Sequence, residues 1–288
     1  MEYENRRYIN PLNDFGFKHL FGNAQHKDVL IDFLNQLFIG EKEIVDLIYS
    51  PTERAGDKEE LKKILFDLLC TGKDGEQFII EMQRDKQRNF KDRAVFYTSR
   101  LINEQLLKGK SHWNIDLKEV YFIGILDFCL KDSDPDHYLH DVSLTYNGTG
   151  ENFYDKLFYK FIELPKFDKE SSELETDLDK WLYLLKHMSR LEKVPAVLNK
   201  DIFQRVFEIA EIVNLNKEEK NMFDFGIRAE WDYKNVMDYA TETAREKGIQ
   251  EGEHKNSLNI ASEMKKEGID IASIIKFTKL SVEEIENL

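Results

Sequence analysis

The sequence predicts an α/β core followed by mostly helical material, and three observations carry that reading. Apolar runs of strand length alternate with helix-spaced apolar residues through the first 130 residues. Val120–Leu130 (Val-Tyr-Phe-Ile-Gly-Ile-Leu-Asp-Phe-Cys-Leu) is almost unbroken in apolar residues, as a central strand covered on both faces has to be. Beyond about residue 165 the periodicity becomes helical, and from about Met222 the chain is rich in charge. The expected organisation is a core with an added β-hairpin over 1–165, a helical extension packed on it over 166–221, and a charged helical tail over 222–288.

The elements follow in order. Asn10–Gly22 is aromatic-rich and reads as a first helix or turn-helix. Val29, Leu30, Phe33, Leu34, Leu37 and Phe38 recur at helical spacing, with Gly40 as the stop. Ile44–Ile48 is a short extended candidate, and 51–62 is polar and loop-like. Ile64–Thr71 and Gln77–Met82 read as two strands around the turn Gly72-Lys-Asp-Gly75. A long helix is expected to begin in the basic run after Gln83 and to continue through Ala94, Phe96, Tyr97, Leu101, Ile102 and Leu106. After the 120–130 strand, Tyr138–Tyr146 and Phe153–Leu164 flank Asn147-Gly-Thr-Gly150, which marks a hairpin. A helical stretch spans about Leu174 to Asn214, with Trp181, Leu182, Leu185 and Met188 on one face. In the tail, Ser281 with Glu284 forms a capping box opening a short last helix. The outline is that of a helix-turn-helix, but the acidity of the last helix favours packing or dimerisation over a DNA groove.

Composition narrows the class of protein. A 41% hydrophobic share with 12% aromatics is enough for a packed core. No apolar run approaches the ~20 residues of a membrane span, and Met1–Arg7 lacks the apolar region of a secretory signal. Cys70 and Cys129 both lie in apolar runs and are expected to be buried free thiols, which suits a reducing cytoplasm. A formal charge of −14 argues against passive coating of DNA, which needs clustered Lys and Arg. One local exception exists: Arg84, Lys86, Arg88, Lys91 and Arg93 are opposed within their stretch only by Asp85 and Asp92.

The chemistry concentrates in Lys63-Ile-Leu-Phe-Asp67-Leu-Leu-Cys-Thr-Gly-Lys-Asp-Gly-Glu-Gln-Phe-Ile-Ile-Glu81-Met-Gln83. Each strand carries a carboxylate that a plain strand would avoid, since burying one is unfavourable unless it is paired or binds a cation. Two carboxylates converging across a hairpin make a hard-oxygen site suited to Mg²⁺, with the Met82 carbonyl as a third oxygen. Gln83, two residues beyond Glu81, falls on the same strand face, from which its amide can orient a water. The alternative is a structural ion network, in which Asp67 pairs with a Lys or Arg. Arg93 and Tyr97 share a helix face: either they face a scissile phosphate, or Tyr97 packs in the core while Arg93 pairs with Glu81. Asp14 and Lys18 have the same spacing and read first as a surface ion pair. Asp132, Asp134, Asp136, His137, His140 and Asp141 crowd one segment, but their spacing fits no zinc pattern. Asp127, inside the 120–130 run, reads as a buried structural hydrogen-bond acceptor or as a neighbour of the active site, the former being favoured.

Asp67, the Gly72–Gly75 turn and Ile80-Glu81-Met82-Gln83-Arg84 resemble the signature of the PD-(D/E)XK nuclease-fold transposase family, which includes recombination-promoting nucleases. Asn13-Asp14-Phe-Gly-Phe-Lys18, Asn89-Phe-Lys-Asp-Arg93-Ala-Val-Phe-Tyr97, Phe161-Ile-Glu-Leu-Pro-Lys-Phe167, Trp181 and Thr278-Lys-Leu-Ser281-Val-Glu-Glu-Ile extend the similarity to nearly the whole chain. The resemblance implies a restriction-endonuclease-like core, a mixed sheet flanked by helices, with a helical C-terminal extension. It also implies Mg²⁺-dependent cleavage of DNA, with Mn²⁺ as a substitute. Carried over residue by residue, Asp67 and Glu81 are the metal ligands and Asp14 the acidic residue of the first helix. Gln83 stands where the superfamily usually has Lys, which replaces a positive charge by hydrogen bonds alone. Arg84, Arg88, Arg93, Tyr97 and Lys18 are then the expected DNA contacts.

The function expected is a metal-dependent DNA endonuclease of a mobile-element or recombination system. The alternative is a non-catalytic or weakly active nuclease-fold module that binds DNA or protein. An RNA-cleaving relative would share the same chemistry. A purely binding descendant has no use for two costly strand carboxylates, so the intact pair favours a reaction. Cutting both strands is easiest for a symmetric homodimer.

Overall fold

The computed structural model describes residues 6–54, 64–87, 89–106 and 116–288. Two compact units are present, Met1–Phe223 and Asp224–Leu288.

The first unit is built on a six-stranded sheet: β1 (Leu47–Tyr49), β4 (Leu68–Gly72), β5 (Gln77–Gln83), β6 (Val120–Leu126), β7 (Leu139–Thr145) and β8 (Asn152–Glu163). Its spatial order is β1-β4-β5-β6-β8-β7, a mixed sheet. β5, β6 and β8 run parallel in the middle, and antiparallel pairs close both sides. β2 (Glu53–Arg54) and β3 (Ile64–Leu65) form a separate antiparallel pair. The expected polar loop over 51–62 falls outside the described residues apart from 51–54.

Both faces of the central strands are covered, which is why they read as continuous apolar runs. Phe78, Ile80 and Met82 of β5, with Tyr121, Ile123 and Ile125 of β6, face a core shared with α1 (Asp14–Phe21), α2 (Lys27–Leu37), α4 (Asp177–His187) and α5 (Asp201–Ala210). Trp181 is fully buried there against Phe21, Phe33 and Phe203, and its indole N–H donates to Asp32 at 2.7 Å. On the opposite face, Ile79, Phe122, Leu126, Tyr159 and Phe161 pack under α3 (Phe90–Leu106) through Phe90, Ala94 and Leu101. Thus β5, α3 and β6 form a parallel βαβ crossover, and the loop from β5 into α3 brings the basic run to the carboxyl end of β5.

Several expectations are corrected. The 64–71 run is not one strand: β3 ends at Leu65, Phe66 is fully buried, its N–H goes to the Thr52 carbonyl, and β4 resumes only at Leu68. The helix begins within the basic run, as expected, but only at Phe90. Residues 84–89 (Arg-Asp-Lys-Gln-Arg-Asn) offer nothing to bury, so α3 starts where Phe90 can drop onto Phe122, Phe128 and Phe161. The 120–130 strand stops at Leu126, and Asp127 is exposed just past its end, with its backbone N–H on the Gln83 carbonyl at 2.9 Å. The 138–164 hairpin forms, but as an integral part of the sheet, because β8 pairs in parallel with β6. The 174–214 stretch divides into α4 and α5, joined by a thirteen-residue segment, 188–200, that opens with a 3₁₀ turn at Met188–Arg190. Cys70 is a buried free thiol as expected, whereas Cys129 is only half-buried.

In the second unit, the end of α6 (Lys217–Lys266) packs with α7 (Ile271–Thr278) and α8 (Val282–Glu286) around Ala261, Ile274, Leu280 and Ile285. The Ser281/Glu284 capping box is present, and Lys265 ties the far end of α8 by donating to the Ile285 and Glu286 carbonyls. α8 has only five residues, three of them Glu, and these contacts use it for packing. Among the described residues, no helix is long and apolar enough to cross a membrane.

Candidate active site

Asp67 lies in the break between β3 and β4, opposite Glu81 near the end of β5. The β4–β5 ladder pairs Leu68 with Ile80, and one step further the regular ladder gives way to a side-chain exchange. The Asp67 N–H donates to Glu81 Oε1 at 3.1 Å, and the Met82 N–H donates to Asp67 Oδ2 at 2.9 Å. Each carboxylate thus uses one oxygen to hold the neighbouring strand's backbone. The N–H and C=O of a strand residue leave the same edge, so the Met82 carbonyl faces the gap in which Asp67 sits.

Glu81 is 2% exposed. Burial, and next the nearby Asp67 charge, push its carboxyl up to about 8, against the opposing pull of the Asp67 N–H, Arg93 and Lys18. Asp67 is raised as well, first by burial, with the Met82 N–H and Lys18 pulling the other way. The pair as it stands therefore favours a proton, which is the behaviour of two buried carboxylates short of positive charge.

The larger positive charge acting on Glu81 is that of Arg93, whereas for Asp67 it is that of Lys18. Arg93 Nη2 donates to Glu81 Oε2 at 3.2 Å, and the guanidinium lies 5.6 Å from the Phe90 ring centroid and 5.5 Å from that of Tyr97. Of the two orientations open for Arg93, the structure takes the inward one, paired with Glu81. Tyr97 is half-buried, edge-on to Phe66, with its hydroxyl donating to the Leu65 carbonyl at 3.4 Å. Its pKa is raised, first by burial and then by the Glu81 charge.

Gln83 shares the Glu81 face, as strand periodicity requires. Its Nε2 donates to Glu81 Oε2 at 3.5 Å and its Oε1 accepts from Gln87 Nε2 at 2.9 Å. Gln87 in turn accepts from Arg93 Nη1 at 2.6 Å. Gln87 did not stand out in the sequence; the only signal was a long neutral amide inside a run of charges.

The remaining expected residues are placed as follows. Asp14 and Lys18 form the expected i, i+4 pair at 2.5 Å on α1, Asp14 exposed and Lys18 half-buried, and both are close enough to act electrostatically on Asp67. Arg84 is exposed in the loop after β5. Arg88 lies outside the described residues. The Asp/His segment resolves into local contacts: His137 pairs with Asp134 at 3.1 Å, and His140 lies 3.4 Å from the fully buried Glu163.

Among the described residues no group of three or more His, Cys, Asp or Glu side chains is arranged to hold a metal ion. The donor set at Asp67 and Glu81 still fits a hard divalent cation. Two carboxylates with raised pKa lie at the gap that the Met82 carbonyl faces, and Mg²⁺ characteristically takes one or two carboxylates and completes its shell with water and phosphate oxygens.

Comparison with known proteins gives one match. A family model described as PD-(D/E)XK nuclease family transposase covers residues 11–240, well over half of the chain. Among curated proteins and among solved structures, nothing matches significantly.

Proposed function

The chain belongs to the PD-(D/E)XK nuclease family transposases, and from that premise we propose that it is a divalent-metal-dependent DNA endonuclease acting in a mobile-element or recombination system. The observation that carries the proposal is the pair of carboxylates at the break between strands, Glu81 buried and Asp67 half-buried beside it, both with raised pKa. Asp67, Glu81 and the Met82 carbonyl are the proposed ligands of Mg²⁺, with Mn²⁺ as a substitute. The cation, when bound, supplies a Lewis acid for the phosphate and lowers the pKa of water.

The chain's own residues do the rest. With its carboxyl raised to about 8, Glu81 takes up negative charge more readily where a cation is supplied, and Asp67 is shifted in the same direction, so the pair ties its charge to occupancy. The Gln83 amide, a neutral donor beside Glu81, orients water or a phosphate oxygen by hydrogen bonding in place of an ammonium group. Arg93 keeps Glu81 in position from the α3 side, and Tyr97 closes the wall behind it. Asp14 tunes the charge at Asp67, while Lys18 and Arg84, with Arg88 of the same run, are the proposed contacts to the DNA backbone. The free thiols are consistent with a cytoplasmic setting.

The test is cleavage of supercoiled and linear DNA with Mg²⁺ and with Mn²⁺, comparing wild type with Asp67→Asn and Glu81→Gln. The proposal expects wild-type cleavage that both variants lose while remaining folded. Cleavage by both variants at the wild-type rate overturns it. A second reading, a DNA- or protein-binding module without appreciable activity, draws on the Arg93–Glu81 ion pair, which compensates the buried carboxylate without any cation. DNA binding without cleavage, and without stabilisation by millimolar Mg²⁺, decides for that reading.

A further inference from the structure

Gln83, Gln87, Arg93 and Glu81 close a ring of four hydrogen bonds: Arg93 Nη1 to Gln87 Oε1 at 2.6 Å, Gln87 Nε2 to Gln83 Oε1 at 2.9 Å, Gln83 Nε2 to Glu81 Oε2 at 3.5 Å, and Arg93 Nη2 to the same Glu81 oxygen at 3.2 Å. The Arg93 end of this ring has fixed polarity: a guanidinium only donates, so the Gln87 oxygen and the Glu81 Oε2 that meet it are both acceptors.

That polarity settles both amides. Gln87 must turn its oxygen to Arg93, because the reverse orientation sets NH₂ against guanidinium N–H groups. Its nitrogen then faces Gln83, which must answer with its oxygen. The Gln83 nitrogen is left facing Glu81, where an acceptor waits. A flip of Gln83 alone would set NH₂ against NH₂ at Gln87 and oxygen against carboxylate at Glu81. The chain folds back to make this possible: Gln83 ends β5, Gln87 sits in the following loop, and Arg93 is on the first turn of α3.

We infer that Gln87 is a positioning residue, which holds the Gln83 amide with its donor nitrogen turned to the Asp67–Glu81 pair. A lysine at position 83 would need no such device, because every face of an ammonium group donates. A glutamine does need it, because half of its amide is an acceptor that would repel Glu81 and the oxygens of water or phosphate. An NH₂ group carries two N–H donors, so the one directed at Glu81 leaves a second for such an oxygen. The inference rests on the reading of Asp67 and Glu81 as the reactive pair, but its geometry is that of the metal-free protein.

The test has two arms. In metal-free ¹⁵N-labelled protein, the Gln83 side-chain amide is identified as the NH₂ pair lost in Gln83→Glu. It should be slow to exchange, and should shift and lose that protection in both Gln87→Ala and Gln87→Glu. An unchanged Gln83 amide in Gln87→Ala overturns the inference, whatever the protein does to DNA. In the cleavage assay, kcat should fall by about tenfold to a hundredfold in Gln87→Ala, with KM changed by less than about twofold. Gln87→Glu should fall at least as far, because it turns the Gln83 nitrogen away from Glu81. Placed in a Gln83→Lys background, the Gln87→Ala effect should shrink to under about twofold; an equal loss in that background means that Gln87 acts by another route and overturns the inference. If the wild type cleaves nothing, the nuclease reading fails and the amide arm still decides the positioning role.

Discussion

The protonation of the Asp67–Glu81 pair predicts an unusual pH dependence of stability. Glu81 has its carboxyl raised from an ordinary 4.5 to about 8. Below 4.5 both the folded and unfolded chains hold the proton, and the group is neutral in its effect. Above 4.5 the unfolded chain releases it while the folded chain retains it, so stability falls as pH rises, at about 1.4 kcal/mol per unit, until the folded carboxyl also ionises near 8. Between roughly pH 6 and pH 8 the loss is about 2 kcal/mol. For a unit of this size that lowers Tm by roughly 4–8 °C. Glu81→Gln removes the titrating group and keeps the shape, so the difference in slope between the two proteins reports the Asp67–Glu81 pair. The assay is thermal or chemical unfolding of both proteins in chelator across this pH range. Wild type should lose stability relative to Glu81→Gln as pH rises. Parallel curves would falsify the account of a proton held by the buried pair.

Three other outcomes follow from the same geometry. Millimolar Mg²⁺ should stabilise the wild type more at pH 8 than at pH 6, because binding must displace the retained proton, and Asp67→Asn should abolish the effect; a pH-independent shift in Tm speaks against the site. Arg93→Met, which removes a charged hydrogen bond to Glu81, should cost about 2 kcal/mol in metal-free protein, and Mg²⁺ should restore more stability to this variant than it adds to wild type. Gly124→Ala should cost about 1–3 kcal/mol by urea unfolding, since a Cβ there lies 3.0 Å from Phe161 and 3.2 Å from Phe90, the residue that anchors the start of α3; an unchanged midpoint would mean that the two rings move aside freely.

Much of the fold was legible because its signals are local. The 27–37 helix announces itself by apolar spacing, the 152–163 strand by the Asn-Gly turn before it, and the last helix by Ser281 and Glu284. The acidic pair was also legible, since carboxylates inside apolar runs are conspicuous. What could not be read was set by distant partners. The break at Asp67 is invisible in Ile64–Thr71 because Phe66 is as apolar as its neighbours, and the chain leaves the ladder only to exchange bonds with Glu81 and Met82. The start of α3 is set by the ring pocket over Gly124 that receives Phe90, which no property of residues 84–89 reveals. The single helix Lys217–Lys266 runs through Gly226, Gly248 and Gly252, residues that weaken a helix without forbidding one. Gln87 acquires its role only when the loop folds back onto Gln83.

The exchange between Asp67 and Glu81 also changes what the presence of these two acids signifies. Each one supplies an acceptor that the neighbouring strand's amide would otherwise lack, so both contribute to joining β4 and β5 whether or not any reaction takes place. A descendant that had lost all activity would still need them to close its sheet. An intact acidic pair is therefore a sign of this architecture first and of catalysis only second. For the same reason alanine is the wrong probe of either residue: it would open the sheet and remove the chemistry together. Asparagine and glutamine keep the carbonyl oxygen that receives the amide and delete only the charge.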